Sequence, residues 1–277
     1  MIRVIVALFV CLVIVSCQPG RPSRTVRHTE NDSLRDTVAV ETDSTYTAPP
    51  KAADGLFDDF IYVFMKDAAF QRQRISFPLK FVVKGKQQQV NSKEWKHDPL
   101  YLHRDVYTII TKSKKEEALE KDTLVRNVVV EWVNLSRKEV KQYHFVKNDG
   151  RWMLNLITLV GMDNHEDADF YAFYQRFAVS EAYQKKHLLN PFKFRTYDSD
   201  NFQTIDGLLD PEQWPDFRPT LPHDIITNIR YSPSHSLEAV SDSPRRTLQI
   251  CSVSGGMGCS LTFVNKKGSW WLERLDN

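Results

Sequence analysis

The chain has 277 residues, of which 42% are hydrophobic and 12% aromatic, so it can form one large domain or two ordinary domains with packed cores. Its formal net charge of +2 gives no strong field toward nucleic acid, and no nucleic-acid partner is expected. The cysteines form no C-x-x-C pair, and the histidines lack the spacing of metal ligands, so neither a metal nor another cofactor is expected.

Residues 1–17 have the pattern of a secretory signal peptide. A basic start at Arg3 precedes an apolar run, residues 4–15, that is too short to span a hydrocarbon layer of roughly 30 Å. The end of the run, Ile-Val-Ser-Cys, resembles the lipobox of bacterial lipoproteins. This resemblance implies cleavage after Ser16 and acylation of Cys17, whereas in an ordinary signal peptide Cys17 would be incidental.

Lipid chains on Cys17 would attach the protein to a membrane without a transmembrane helix. The next residue is Gln18 rather than aspartate, which by analogy with Gram-negative sorting favours the outer membrane over the inner membrane. The expected localisation is therefore the outer membrane, lipid-anchored, on either its periplasmic or its cell-surface face.

Residues 18–53 are rich in Ser, Thr, Pro and charged residues, and their single aromatic residue is Tyr46. Such a segment buries too little apolar surface to offset the entropy lost on ordering. We expect a disordered tether between the lipid and the first domain. Binding of peptidoglycan or a partner by this segment is the alternative.

An internal repeat dominates the rest of the sequence. Residues 57–81 and 170–194 match in order at Phe57/Phe170, Phe60/Phe173, Phe64/Phe177, Ala69/Ala182, Gln71/Gln184, Pro78/Pro191, Lys80/Lys193 and Phe81/Phe194. Later matches include Trp95/Trp214, Asp105/Asp224, Thr108/Thr227, Ile110/Ile229, Gly150/Gly268 and Trp152/Trp270. The repeat predicts two related domains, the first at residues 54–160 and the second at residues 165–277.

The first copy starts with an amphipathic helix and continues as strands. Phe57, Phe60, Ile61 and Phe64 lie on one helical face, and Asp54 is expected to cap the helix start. A strand at 77–83 includes Pro78 near its start, as an edge strand tolerates. Further strands are predicted at 106–111, 124–135, 140–147 and 152–160, with a loop or short helix at 112–122 and a hairpin turn at 148–150.

This order predicts an α+β fold in which each domain packs a helix on a curved antiparallel sheet. It resembles the nuclear-transport-factor-2-like fold, a cystatin-like α+β cone. With the lipobox and the tether, the tandem copies also resemble a Bacteroidetes lipoprotein family of unknown function. The resemblance covers most of residues 54–277 and rests on pattern and order. It implies no particular activity, because this fold hosts enzymes, binding modules and inactive partners alike.

Three residues are weak pocket candidates. Asp105 and Asp224 each follow a basic residue and precede a predicted strand, so each is either a general base at the mouth of a cone or a structural residue in a turn. Trp271 has a methionine as its counterpart in the first copy, and we expect it to be more exposed than the repeated tryptophans. Packing explains most of the other aromatic residues, although a pocket for an apolar or glycan ligand is an alternative.

Two further groups need an interpretation. Cys251 and Cys259 flank a glycine-rich segment and occur only in the second copy. If the flanking strands pair, the two cysteines lie opposite each other, which favours a disulfide in an oxidising compartment over a reactive thiol pair. The polar residues 164–167 between the copies are expected to form a linker, with a cation site as the alternative.

The sequence therefore predicts a non-catalytic binding or interaction protein of the cell envelope, with a protein or a small molecule as ligand. The first alternative is an envelope hydrolase or isomerase that uses a cone-pocket Asp with a neighbouring His. The second alternative is a structural or assembly factor.

Overall fold

The computed structural model describes residues 51–233, 243–255 and 258–277. The predicted signal peptide, the predicted lipidation residue Cys17 and nearly the whole predicted tether lie outside the described residues. None of the helices in this part of the chain has the length and hydropathy needed to cross a membrane.

Each copy starts with a pair of short helices, α1 and α2 in the first copy and α4 and α5 in the second. The α-helices of the described residues are α1 (Phe57–Lys66), α2 (Ala68–Gln73), α3 (Lys114–Leu119), α4 (Ala168–Phe177), α5 (Glu181–Lys186) and α6 (Trp214–Phe217). The predicted apolar face of α1 is confirmed, because Phe57, Phe60, Ile61 and Phe64 are all buried. The helix stops at Asp67, whose carboxylate accepts hydrogen bonds from the first backbone N–H groups of α2.

The predicted cap of α1 is wrong. Leu56 occupies the cap position, and no side chain bonds the free N–H groups there. Asp54 instead pairs with Arg74 at 2.7 Å and accepts a hydrogen bond from the backbone N–H of Trp152 at 3.0 Å. The sequence around Asp54 does not indicate a pairing with Arg74, because the two residues lie far apart in the chain. Its position shortly before the helix therefore predicts an ordinary cap.

The strands form two six-stranded sheets. They are β1 (Ile75–Val83), β2 (Lys86–Val90), β3 (Val106–Thr111), β4 (Asn127–Asn134), β5 (Glu139–Asn148), β6 (Arg151–Gly161), β7 (Leu188–Asp198), β8 (Gln203–Leu209), β9 (Ile225–Ser232), β10 (Arg245–Ser252), β11 (Cys259–Lys266) and β12 (Ser269–Asp276). One sheet has the order β2-β1-β6-β5-β4-β9, and the other has the order β3-β10-β11-β12-β7-β8. The α+β class and the three-stranded meander in each copy are confirmed.

The strand that contains Pro78 is not an edge strand. β1 lies between β2 and β6, and its parallel pairing with β6 shifts register between Ile75 and Lys80. Pro191 in β7 falls in the corresponding shift, between Leu188 and Lys193. A proline lacks the N–H that a ladder needs, so it fits where the ladder is interrupted.

The two copies exchange one strand each. β3 of the first copy pairs with β10 of the second, with Ile110 opposite Leu248. β9 of the second copy pairs with β4 of the first, with Ile229 opposite Val130. Each sheet therefore contains five strands of one copy and one strand of the other. The boundaries at 54–160 and 165–277 stay predictions about the extent of the repeat.

The exchanged strands cross at two equivalent threonines. The backbone N–H of Thr108 donates to Oγ1 of Thr227 at 2.7 Å, and the N–H of Thr227 donates to Oγ1 of Thr108 at 2.9 Å. Each hydroxyl also donates to the backbone carbonyl of the other residue. Both threonines are buried, so these four bonds satisfy groups that water cannot reach.

An aromatic core lies between the helices and the sheet in each copy. Phe57, Phe60 and Phe64 contact Phe145, while Phe170, Phe173 and Phe177 contact the equivalent Phe263. The repeated glutamines are also explained. Trp95 and Trp214 donate from Nε1 to Gln71 and Gln184, whose amides donate to the last turns of α1 and α4. The repeated aromatic residues thus serve packing, as the sequence indicates, and the repeated glutamines hold them by hydrogen bonds.

Replacement of Thr227 by valine tests the crossing. The variant loses two of the four bonds and leaves the backbone N–H and carbonyl of Thr108 without them, so we expect the free energy of unfolding to fall by about 2–4 kcal/mol in urea titrations. Thr204, which is exposed on β8, provides the matched control, and Thr204→Val should change stability by no more than about 0.5 kcal/mol. Equal losses of unfolding free energy in Thr227→Val and Thr204→Val would show that the hydrogen bonds at the crossing do not stabilise the fold.

Candidate binding cleft between the two copies

A cleft of about 330 Å³ lies where the exchanged strands meet. We call it the central cleft. Its lining comes from residues 109–120 at the end of β3 and in α3, from residues 228–233 of β9 and the following turn, from Gln249, and from Glu166 and Asp167 before α4. Because both copies and their connection contribute, the cleft exists only through the strand exchange.

A fully buried carboxylate lies beside the cleft. Glu131 on β4 stands directly opposite Asn228 on β9 and has no exposed surface. It accepts hydrogen bonds from Gln142 at 2.9 Å, His165 at 3.0 Å, Asn228 at 3.1 Å and Arg230 at 3.2 Å. These four donors satisfy the charge that burial would otherwise penalise, and they join β4, β5, β9 and the connection between the copies.

The donors determine the protonation of Glu131. Burial alone would raise the pKa of this carboxyl group, but His165 and the positive charge of Arg230 outweigh it and lower the pKa to about 2. The imidazole is oriented by the backbone N–H of Asp167, which donates to Nδ1. The hydrogen of His165 therefore lies on Nε2 and points to Glu131.

A second set of ion pairs continues along the cleft wall. Lys112 Nζ lies 2.9 Å from Glu166 and 3.4 Å from Asp167. Arg230 contacts Glu166 at 3.0 Å, and Arg246 contacts Asp167 at 2.6 Å. The acidic residues that were weighed as a cation site are thus paired with basic side chains. Within the described ranges, no group of three or more His, Cys, Asp or Glu side chains is placed to hold a metal ion.

Two acidic residues lie near the other end of the cleft. Glu120, directly after α3, contributes to the lining, while Asp58 on α1 accepts a hydrogen bond from the hydroxyl of the lining residue Tyr231 at 2.8 Å. Burial raises the pKa of Asp58, although the hydrogen bond from Tyr231 opposes this effect. Burial and the charge of Asp58 raise the pKa of Glu120.

The structure does not bring Asp105 and Asp224 to this cleft. Both side chains are exposed, directly before the exchanged strands β3 and β9. Their backbone carbonyls accept hydrogen bonds from Val253 at 3.2 Å and Leu135 at 3.0 Å, each in the other copy. The backbone at both positions therefore takes part in the start of strand pairing, and neither carboxylate lines the cleft.

Cys251 and Cys259 are free thiols in this structure, and a disulfide between them in an oxidising compartment stays a prediction. The ladder pairs Cys259 with Ile250 and Cys251 with Tyr107 of β3. The expectation that the cysteines lie directly opposite each other is wrong, because neighbouring residues of a strand point to opposite faces. Burial raises the pKa of both thiols, which argues against a reactive pair.

A second, more open cavity of about 370 Å³ lies at the end of the second sheet, and both cysteines contribute to its lining. Trp271 does not contribute to it. The Trp271 side chain is half-buried, and its ring centroid lies 5.5 Å from that of His187. Among the described residues that line the two cavities, neither Trp271, Asp105 nor Asp224 occurs.

Most residues around the central cleft were missed from the sequence. One signal was available for Glu131, which interrupts the apolar run Val128–Val133 and is therefore a charged residue in a buried strand. Asp58 and Glu120 had no such signal, because a helix start and a charged loop are ordinary positions for acidic residues.

Replacement of Glu131 by glutamine should destabilise the protein, because four donors then face a neutral group that has amide hydrogens of its own. We expect the free energy of unfolding at pH 7 to fall by about 3 kcal/mol in urea titrations, as when one partner of a buried ion pair is removed. The conservative control is Asp206→Asn, which breaks the exposed pair with Arg195 and should have little effect.

The same comparison has a defined pH dependence. The pKa of Glu131 in the folded state, about 2, lies below its ordinary value of 4.5, so the carboxylate stabilises the fold above pH 4.5. This stabilisation is lost as the pH falls through 2, and the difference between wild type and Glu131→Gln should shrink over that window. A difference that stays constant down to pH 2 would contradict the assignment.

Comparisons with other proteins agree with this architecture. A search of curated proteins finds no match. A solved structure of an NTF2-like protein from Bacteroides fragilis is similar to the chain, with 33% sequence identity and a TM-score of 0.72, over 81% of this chain and 96% of the other. The family model described as domain of unknown function (DUF4348) matches residues 36–277. The chain therefore belongs to the DUF4348 family and has an NTF2-like fold.

Proposed function

We propose that this protein is a non-catalytic, lipid-anchored binding protein of the cell envelope that takes a small molecule in the central cleft. The observation that carries the proposal is the cleft itself, which is built jointly by both copies at the strand crossing. Its volume of about 330 Å³ falls within the range of small-molecule pockets.

The lining indicates the kind of ligand. Ile109, Leu119 and Ile229 supply apolar surface, while Ser113 and Lys115 supply polar groups. Lys112 and Arg230 are engaged with acidic neighbours, so they shape the wall rather than offer a free charge. A ligand of mixed polarity fits such a surface better than a polyanion does.

The alternatives receive less support. The enzyme hypothesis relied on Asp105 or Asp224 in a cone pocket, and both side chains are exposed outside the cleft. A purely structural role does not account for a cleft that polar and apolar side chains line together. Attachment to the outer membrane through Cys17, with residues 18–53 as tether, follows from the lipobox and the polar composition of the segment.

The ligand site can be tested by filling it. Leu119 lines the cleft, and Leu119→Trp should occupy part of its volume. In a thermal-shift screen of amphiphiles and glycans from the bacterial envelope, we expect a compound that stabilises the wild type and binds the variant at least about tenfold more weakly. Leu124 is 65% exposed in the same connection, so Leu124→Trp is the matched control and should bind normally.

Two results would contradict the proposal. One is a screen in which no compound stabilises the wild type. The other is a compound whose affinity is the same for Leu119→Trp and for the wild type, because it must then bind elsewhere.

The lipid anchor has its own test. Cys17→Ala should release the protein from the membrane fraction of its host, because no acyl chain can be attached. Cell fractionation followed by immunoblotting measures the distribution, with Cys251→Ala as a control that should stay with the membrane. Retention of Cys17→Ala in the membrane fraction would refute the anchor.

A further inference from the structure

Each six-stranded sheet ends in one open edge. Within the described residues, β2 pairs only with β1 in the first sheet, and β8 pairs only with β7 in the second. The strands at the other ends, β3 and β9, bond each other through Thr108 and Thr227 at the crossing. An open edge presents a row of backbone donors and acceptors, so it is a template for a further strand.

The two open edges occupy equivalent places in the repeat but carry opposite charge. We call residues 75–97, which contain β1 and β2, the basic edge, and residues 188–216, which contain β7 and β8, the acidic edge. The basic edge has five lysines and one glutamate, which gives a formal charge of +4. The acidic edge has two basic and six acidic residues, which gives a formal charge of −4. The copies therefore share the hairpin but differ in the sign of its charge.

Most of these charges have no opposite charge beside them in the same molecule. The two basic residues of the acidic edge, Lys193 and Arg195, pair with Glu273 and Asp206, and this leaves an excess of carboxylates. Among the described residues, no ion pair engages the exposed or half-exposed charges Lys80, Lys86, Lys93 and Lys96 of the basic edge, or Asp198, Asp200, Asp210, Glu212 and Asp216 of the acidic edge. Charge of one sign is therefore available to a partner at each edge.

The acidic edge also exposes apolar side chains. Tyr197, Phe202, Ile205 and Leu208 are 44% to 82% exposed, and they lie on β7, on β8 or in the turn between them. Exposed apolar side chains clustered on an open edge strand are typical of a surface that a partner covers. The acidic edge therefore offers backbone groups, charge and apolar surface at one place.

The charges determine which edges can pair. Two basic edges side by side would bring lysines together, and two acidic edges would bring carboxylates together, and like charges across paired strands are destabilising. Charged side chains on an edge strand normally protect it against pairing with its own kind. A basic edge beside the acidic edge of a second copy brings opposite charges together, so the protection fails for this one combination.

We propose that copies of this chain associate head to tail, with β2 of one copy adding to β8 of the next and continuing its sheet. Two different surfaces meet in this contact, so a pair of molecules still has one basic and one acidic edge for further copies. The added strand covers apolar side chains of the acidic edge. Neither edge lines the central cleft, so the inference does not rest on the proposed function.

Sedimentation equilibrium of the full mature chain, in a detergent matched to the density of the solvent, measures the association. We expect dimers and larger species at about 0.1 mM protein in low salt. Addition of about 0.5 M salt should weaken the contact at least about tenfold, because it screens exposed charges. A wild type that stays monomeric under the low-salt condition would overturn the proposal, and binding of the basic edge to vesicles of anionic phospholipid would then identify a membrane contact instead.

Reversal of the charge at the basic edge should prevent association. The basic-edge variant combines Lys80→Glu, Lys86→Glu and Lys93→Glu, so both of its edges are acidic, and we expect it to associate at least about tenfold more weakly than the wild type. The matched control combines Lys138→Glu, Lys266→Glu and Lys267→Glu, which change three exposed lysines in turns away from both edges and should leave association unchanged.

A complementary variant tests the direction of the contact. The acidic-edge variant combines Asp200→Lys, Glu212→Lys and Asp216→Lys, so both of its edges are basic, and it should also associate at least about tenfold more weakly. An equal mixture of the two variants should form mixed dimers with close to wild-type affinity, because each retains the unchanged edge that the other lacks.

Two results with the variants would contradict the head-to-tail contact. One is a mixture that stays monomeric. The other is a closed dimer that survives in either variant alone, because it would join two like edges or a different surface.

Discussion

The structure depends on the crossing of β3 and β9. Each of these strands leaves its own copy and completes the sheet of the other, and Thr108 and Thr227 bond each other where they cross. A buried backbone group without a partner costs about 1–3 kcal/mol, so neither strand can leave its place without a substantial penalty. The two copies are therefore not independently folded domains. Each copy lacks a strand that only the other copy supplies.

The crossing also explains why the two halves differ where they meet. On the far sides of the molecule the copies keep matching aromatic cores and the same Gln–Trp pairs, because each core solves the same packing problem. At the crossing the residues diverge. By the spacing of the repeat, Glu131 corresponds to Gln249 and Arg230 to Thr111. Arg230 and its counterpart Thr111 both line the central cleft, as does Gln249, so charged and neutral residues from the two copies meet there.

The sequence was most informative about elements with a local period. The aromatic face of α1, the strands β3 to β6 and the Asp149-Gly150 turn all carry signals that lie within a few residues, and the structure confirms them. The same signals could not reveal which sheet β3 joins, because a strand has the same pattern of side chains beside either neighbour. Contacts between distant residues were missed for that reason. The partners Asp54 and Arg74, Glu131 and His165, and Asp58 and Tyr231 are separated by long stretches of chain.

The repeat separates residues that maintain the shared fold from residues that are particular to one copy. It correctly assigned the repeated Trp152 to packing. The repeat also identifies Cys251, Cys259 and Trp271 as features of one copy. Among the charged residues that differ between the copies, Arg230 lines the central cleft and contacts the buried Glu131. Differences between copies are most informative at buried positions, where a change of charge requires new partners.

The central claim is that the two copies fold as one unit because they share strands. Guanidinium unfolding followed by pulsed hydrogen exchange and mass spectrometry tests it directly, with β5 reporting the first sheet and β11 the second. The account predicts a single transition, with the same midpoint and the same slope for both strands. Two separated transitions, in which one sheet stays protected after the other has unfolded, would contradict it.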